Sequence, residues 1–369
     1  MHPSGVLMAL GAFLVCNPVA ETAQQRPMRA DAVIRSETKL VQVVVTVWDE
    51  KGKLANDLSQ EDFVVFVDGV EQKISYFSHE RVPVSFVLST DASTSVEHKI
   101  PFFRKAALDL LDPFPNEEQQ YRYGDEFALV RFGSKVELVE SFTTARELRN
   151  RIEGGSTNPF VRPAYDKGST SLFDAVYASA DVAKRRSMNK RRAVILLTDG
   201  GDNHSFHNFK KTKSYLAEMD TPFFAVVSPP VYLLQDLFAP PKKQKDPTST
   251  TIDLPSGGGL PIHLYVKTEA DLIGPAEQRG PRNLKDLAGI SGGAVFQAHD
   301  ETDIPRIVRA LGAAIRYSYL LEFAPSGLRH IKRPKDWDGR HTLKVQLMPP
   351  EQFRGYAVYY KRGYKDPDP

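Results

Sequence analysis

The sequence predicts an α/β protein whose core is a doubly wound, mostly parallel sheet, flanked at both ends by β segments too short to stand alone. Three observations carry this. Between residues 83 and 315, short apolar runs of strand length alternate with segments of helical spacing, the sign of a parallel sheet covered on both faces. Before and after that region lie stretches of only about 40 to 50 residues, rich in β-branched and aromatic side chains, near the lower limit for independent folding. Two of the apolar runs stop abruptly at an aspartate.

The leading β segment, 38–80, opens with Leu-Val-Gln-Val-Val-Val-Thr-Val-Trp at 40–48, a strand by composition, followed by the turn Asp49-Glu50-Lys51-Gly52. A second strand over 63–67 ends at Asp68-Gly69, the strongest short hairpin signal, with 71–77 predicted as the third. The trailing segment, 316–369, predicts strands over 317–323, 342–347 and 356–360. Since neither segment can bury a core of its own, the two are expected to pair into one small β-sandwich.

Within the central region, Val-Ser-Phe-Val-Leu-Ser-Thr-Asp at 84–91 reads as a buried strand, and 100–111 as a helix stopped by Pro113 and Pro115. Strands are predicted over 125–133 and 136–142, a short helix over 145–152, and a loop over 153–167 leading to a helix at 172–183. A strand at 192–197, a helix at 209–219 and a strand at 222–227 follow. Residues 228–262, rich in Pro, Gly, Lys and Thr, exceed any ordinary connection and are predicted to be an insertion, a lid or a partly disordered loop. Leu264-Tyr265-Val266 is expected to add an edge strand. A helix, glycine turn and strand over 284–296 and a closing helix over 303–315 complete the region.

In an open α/β sheet the ligand site lies beyond the carboxyl ends of the strands, so Asp91, Ser93 and Ser95 are placed on a first rim loop. One carboxylate and two neutral hydroxyls are hard oxygen donors that suit Mg²⁺ better than a soft or redox metal. By itself Asp-x-Ser-x-Ser is a weak signal. Gly168-Ser169-Thr170-Ser171 supplies a third hydroxyl, Thr170, on a turn running into a helical pattern. Val194-Ile195-Leu196-Leu197-Thr198-Asp199 is a second buried strand ending in a rim carboxylate.

These three segments, in this order, resemble the metal-ion-dependent adhesion site of the von Willebrand factor type A (vWA) family, and the whole layout resembles bacterial vWA-related proteins of the Acidobacteria type, down to the closing Arg362-Gly363-Tyr364. The resemblance implies a vWA domain over 83–315 and a divalent ion, Mg²⁺ with Mn²⁺ or Ca²⁺ as alternatives. It implies that Asp91, Ser93, Ser95, Thr170 and Asp199 hold the ion, Asp199 directly or through a water. The expected function is adhesion-type binding of a protein partner that presents Asp or Glu to complete the metal shell, without catalysis. The alternatives are a metal-assisted hydrolase and a structural envelope protein with a loop-ordering metal. Against the hydrolase, no Gly-x-Ser-x-Gly or His-Glu-x-x-His occurs, and Glu97 and His98 after the first loop are expected to face solvent.

Composition narrows the partners. Hydrophobic content of 41% and charged content of 25% describe an ordinary soluble chain, and a net charge of +2 gives no reason to expect nucleic acid. The basic runs at 184–192 and 242–245 are read as solvated loops. His204 and His207 lack a third ligand in sequence and are read as polar surface, not a zinc site.

Residues 6–15 are apolar but far short of the roughly 20 a membrane span needs, so 1–22 is read as a secretory signal peptide and 23–37 as a flexible leader. Export to the periplasm, the outer envelope or the medium follows, with no transmembrane span left after signal removal. Cys16, the sole cysteine, lies within the signal. Its context resembles a lipoprotein signal, but Val15 is larger than the small residue such signals place before the cysteine.

Overall fold

The computed structural model describes residues 40–111, 124–154, 160, 169–229, 250–256, 259–266, 279–328, 331 and 339–365. The predicted signal peptide, the leader and the basic run at 242–245 lie outside them. The leading strands are β1 (Val41–Trp48), β2 (Phe63–Val67), β3 (Val70–Gln72) and β4 (Ile74–Ser78). The central region holds β5 (Val84–Asp91), α1 (Ile100–Leu111), β6 (Glu126–Phe132), β7 (Val136–Thr143), α2 (Ala145–Gly154) and α3 (Leu172–Arg186). It continues with β8 (Arg191–Thr198), α4 (Phe209–Glu218), β9 (Phe223–Val227), β10 (Thr250–Ser256), β11 (Gly259–Val266), α5 (Arg279–Ser291), β12 (Val295–Gln297) and α6 (Asp303–Arg316). The trailing strands are β13 (Tyr319–Phe323), β14 (Arg340–Leu347), β15 (Ala357–Tyr359) and β16 (Gly363–Lys365).

Six strands form the central sheet in the order β12-β9-β8-β5-β6-β7, parallel except for β7, which runs antiparallel along one edge. Successive side chains of a strand point to opposite faces, and here both faces are covered. Phe86, Leu88, Ile195 and Leu197 pack on one side with α1, α2 and α6; Val87, Val194, Leu196 and Ala225 pack on the other with α3, α4 and α5. That double burial is why 84–91 and 193–198 read as continuous apolar runs without alternation. The predicted doubly wound α/β class is the observed one.

The leading and trailing segments do share one sandwich. Its sheets run β15-β1-β13-β4 and β16-β14-β2-β3, so each sheet draws strands from both ends of the chain. Val43, Val45, Val65, Val67, Tyr319, Leu321 and Val345 fill the space between them. The Asp68-Gly69 turn has φ of 48° and 85°, the doubly left-handed backbone a two-residue hairpin needs.

Three expectations require correction. The single strand predicted over 71–77 is two, because the buried Gln72 exchanges side-chain hydrogen bonds with the backbone of Ser326 and turns the chain from one sheet to the other. Leu264-Tyr265-Val266 is no edge of the central sheet: it ends β11, which pairs antiparallel with β10 in a hairpin that starts inside the predicted insertion and runs past its end at 262. Arg191 is not on a solvated loop but begins β8, one residue before the strand predicted from 192, and both it and Arg192 are half-buried; Lys184 to Arg186 are exposed as expected but end α3 instead of lying on a loop.

β1 explains a feature of its own sequence. Val43, Val45 and Val47 face the sandwich, while Trp48 joins the central core, edge-on to Phe296 with ring centroids 6.4 Å apart. A strand buried on both faces has no reason to alternate, so Val-Val-Val-Thr-Val-Trp is continuous. Among the described residues no helix is long and apolar enough to cross a membrane.

Candidate metal centre

β5 is the topological switch of the sheet. The chain leaves it for β6 on one side and reaches β8 on the other, so the carboxyl ends of β5 and β8 bound the crevice where α/β sheets bind ligands. Asp91 ends β5 and Asp199 follows the last residue of β8.

The Asp91 side chain is fully buried, with 0% exposure. Its Oδ1 accepts from the Ser93 backbone N–H at 2.9 Å and its Oδ2 from the Thr198 hydroxyl at 2.7 Å. The Gly200 N–H in turn donates to the Thr198 hydroxyl at 3.0 Å, which orients that hydroxyl toward the carboxylate. Ser93 is buried and Ser95 exposed, and their hydroxyls are 3.2 Å apart. The backbone leaves β5 through Ala92, whose N–H donates to Phe132 O at the end of β6, then enters a short 3₁₀ segment, Thr94–Lys99.

Thr170 reaches the same rim from a distant part of the chain. Its neighbour Ser171 donates its N–H to Gly133 O beyond β6, while the Thr170 carbonyl accepts from the N–H groups of Asn203 and His204 beyond β8. The Asn203 side chain closes the link by accepting from Thr170 N at 2.8 Å. Since β5 lies between β6 and β8, this segment is tied down on both sides of Asp91. Asp202 secures the start of α3, accepting from Leu172 N at 2.9 Å and from the Ser205 hydroxyl.

Electrostatics single out Asp91. Burial, reinforced by the charge of Asp199, pushes its carboxyl up to about 7. Among the described residues neither aspartate is ion-paired. The buried Lys99 stands in the same field, but its Nζ is taken by the Ser228 hydroxyl at 3.0 Å and Pro229 O at 2.6 Å. Burial lowers its pKa, against the charges of Asp199, Glu301 and Asp91, which raise it.

Two carboxylates and several hydroxyls make a donor set of hard oxygens, the chemistry that suits a divalent cation of the Mg²⁺ type. No group of three or more His, Cys, Asp or Glu positioned for a metal occurs among the described residues. His207 is engaged elsewhere: its Nδ1 lies 2.6 Å from Asp174 and its ring stacks on Tyr177. Glu97 and His98 face solvent as expected.

Thr198, Asn203 and Asp202 orient the rim without being among the residues the sequence predicts for it. Thr198 carries a signal, a hydroxyl directly before a rim aspartate. Nothing in sequence links Asn203 to Thr170.

No family model matches this sequence, and no curated protein matches it. Similar solved structures include a von Willebrand factor type A protein from Catenulispora acidiphila, 12% identical, covering 90% of this chain and 64% of that one with a TM-score of 0.41. An aerotolerance-related membrane protein from Bacteroides fragilis is 13% identical over 62% of this chain and 98% of its own, with a TM-score of 0.37. Proximal thread matrix protein 1 from the mussel byssus, solved with a zinc-occupied MIDAS motif, is 14% identical over 64% of this chain and 48% of its own, with a TM-score of 0.40. The chain therefore spans about half the length of that last protein.

Proposed function

We propose that this rim binds a divalent cation, Mg²⁺ foremost and Mn²⁺ or Ca²⁺ as alternatives, and that the cation captures an Asp or Glu side chain of a partner protein. Asp91, Ser93, Ser95 and Thr170 hold the ion, with Asp199 acting directly or through a water. The supporting observation is a fully buried Asp91 beside a second carboxylate, Asp199, neither of them ion-paired among the described residues, an arrangement that costs free energy unless a positive charge is shared between them.

A hard divalent ion takes six or more oxygens. Four or five come from this chain, so a place remains for a visitor. Two carboxylates only balance a 2+ charge, and a partner carboxylate gains charge-assisted bonds there that a neutral side chain does not. The rest of the chemistry belongs to the protein's own groups. The Thr198 hydroxyl and the Ser93 N–H fix the Asp91 carboxylate, and the Asn203 link fixes Thr170, so the donor positions are set before binding. The setting is an exported protein, and binding proceeds without turnover.

Calorimetric titration of the chelator-treated protein with MnCl₂ and MgCl₂ tests the ion, with Asp91→Ala as its twin. Crosslinking mass spectrometry in Mn²⁺ and in EDTA then tests the capture. Metal uptake lost in Asp91→Ala, with metal-dependent crosslinks from the 93–97 loop to a partner carboxylate, is the expected result. Partner binding that survives both EDTA and Asp91→Ala would reduce the cation to a structural role.

A further inference from the structure

At the opposite end of β8 from the candidate metal centre, a cavity of about 620 Å³ lies between the central sheet and the sandwich. The eight residues of β8 separate the two sites by roughly 26 Å at 3.3 Å per residue. Five consecutive residues, Leu40 to Val44, form one wall. Consecutive strand side chains point to opposite faces, so a wall of five in a row is the backbone edge of β1, not a face.

That edge is open. β13 covers one side of Val41–Val45, while on the other side β15 reaches only Thr46–Trp48. Beyond β15 the chain is drawn away from β1. Lys361 Nζ bonds Asp220 at 2.7 Å, and the backbone of Tyr360 and Lys361 lies against Gly292, where any Cβ would stand 2.5 Å from Lys361 N. The chain then rejoins the other sheet as β16, leaving a slot between β1 and β16.

The slot is cationic. Lys190, Arg191, Arg192, Lys361 and Lys365 line it against Glu218 and Asp220, five positive charges to two negative, a net of +3. Of these only Lys361 has a carboxylate partner among the described residues; Arg191 reaches Arg316 O at 3.5 Å and Arg192 the Ser187 hydroxyl at 2.6 Å. Burial without a facing carboxylate draws the Arg191 pKa down to about 10. At the mouth Leu40 is 57% exposed.

We propose that this slot is a docking groove for an extended acidic segment of another protein, which adds as a strand to the free edge of β1 and places its carboxylates against Arg191, Arg192 and Lys365. Backbone pairing gives such additions their affinity and side-chain contacts their selectivity. The chain's own leader is a poor occupant, because residues 23–37 carry three basic residues (Arg26, Arg29 and Arg35) against two acidic ones (Asp31 and Glu37) and so offer no excess of carboxylates to a cationic slot.

The test is fluorescence polarisation of the full chain with a labelled eight-residue peptide of alternating valine and glutamate, in EDTA so that the metal centre plays no part. The lysine-for-glutamate peptide and a version with proline at alternate positions serve as controls. We expect saturable binding by the glutamate peptide alone, a loss of about tenfold in affinity in both Arg191→Met and Lys365→Gln, and hydrogen-exchange protection at residues 40–44. Lys365→Gln, at the cavity surface, keeps the test decisive if Arg191→Met does not fold. Binding retained by the lysine or proline peptide, unchanged affinity in Lys365→Gln, or protection elsewhere overturns the proposal. So does a concentration-dependent dimer that protects 40–44, which gives the edge to a second copy, or citrate binding that abolishes the peptide's, which makes the slot a small-anion site.

Discussion

The Thr198 hydroxyl donates to Asp91 Oδ2 at 2.7 Å, joining the carboxyl ends of two adjacent parallel strands with a buried hydrogen bond. The two residues are 107 positions apart in sequence, and the bond fixes where the carboxylate of the central strand points.

Thr198→Val keeps the shape of the side chain and removes that donor. It is expected to destabilise the protein by about 1–3 kcal/mol, since a buried carboxylate oxygen loses its partner. Mn²⁺ affinity should fall by at least about tenfold, the effect typical of losing a group that orients a metal ligand. Urea denaturation in EDTA and calorimetric titration measure the two effects separately.

Asp91 makes the metal-free protein sensitive to pH. Its folded-state pKa of about 7 lies above the ordinary value of 3.8, so the folded protein holds this proton more tightly than the unfolded chain. The resulting contribution to stability is complete below about pH 4 and is lost as pH rises to about 7. Asp91→Asn should remove that slope and stabilise the EDTA-treated protein at pH 8 by a few kcal/mol, at about 1.4 kcal/mol for each tenfold difference in proton affinity between the folded and unfolded chain. In the parent protein a cation must displace the proton below pH 7, so Mn²⁺ affinity should decline on acidification. Thermal melts and titrations across pH 5–8 test both.

Arg316 and Asp125 form a buried ion pair beside the central sheet, at 2.6 Å with side chains 2% and 5% exposed. Arg316 also donates to Leu110 O at 3.2 Å and lies 4.7 Å above the Phe86 ring, while Asp125 accepts from Val84 N and Arg81. Asp125→Ala removes the carboxylate shared by the buried Arg316 and the partly buried Arg81 and should cost about 3–5 kcal/mol in urea denaturation. Arg316→Met leaves Asp125 with Arg81 and should cost less.

Two glycines should respond differently to alanine. At Gly293 a Cβ would stand 1.9 Å from Phe223 O, a backbone atom of β9 that cannot move aside, so Gly293→Ala should cost more than about 4 kcal/mol or prevent folding. At Gly69 nothing lies within 4 Å, and only the φ of +85° opposes a side chain. Gly69→Ala should cost about 1 kcal/mol. Soluble yield and midpoints of denaturation distinguish the two.

Much of the architecture could be read from local pattern. An apolar run of strand length has to be buried, and a chain running out of a buried sheet becomes polar at the rim, so Asp91 and Asp199 announced the ends of β5 and β8. The Asp68-Gly69 hairpin is equally local, set by two residues that tolerate positive φ. β16 was not legible because three residues pairing with Arg340 to Thr342 carry no period of their own.

By itself the sequence determined the elements, the class of the fold and the residues at two strand ends, because burial and backbone preference act over a few neighbours. Only the tertiary structure decided that Thr198 holds the Asp91 carboxylate, that Asn203 and Gly133 tie the Thr170 segment to either side of it, and that Arg191 lines a cavity beside an open strand edge. Those relationships join residues roughly 30 to 150 positions apart, and which of many hydroxyls, amides and guanidinium groups meet is settled by how the sheets and helices pack, which no local pattern encodes.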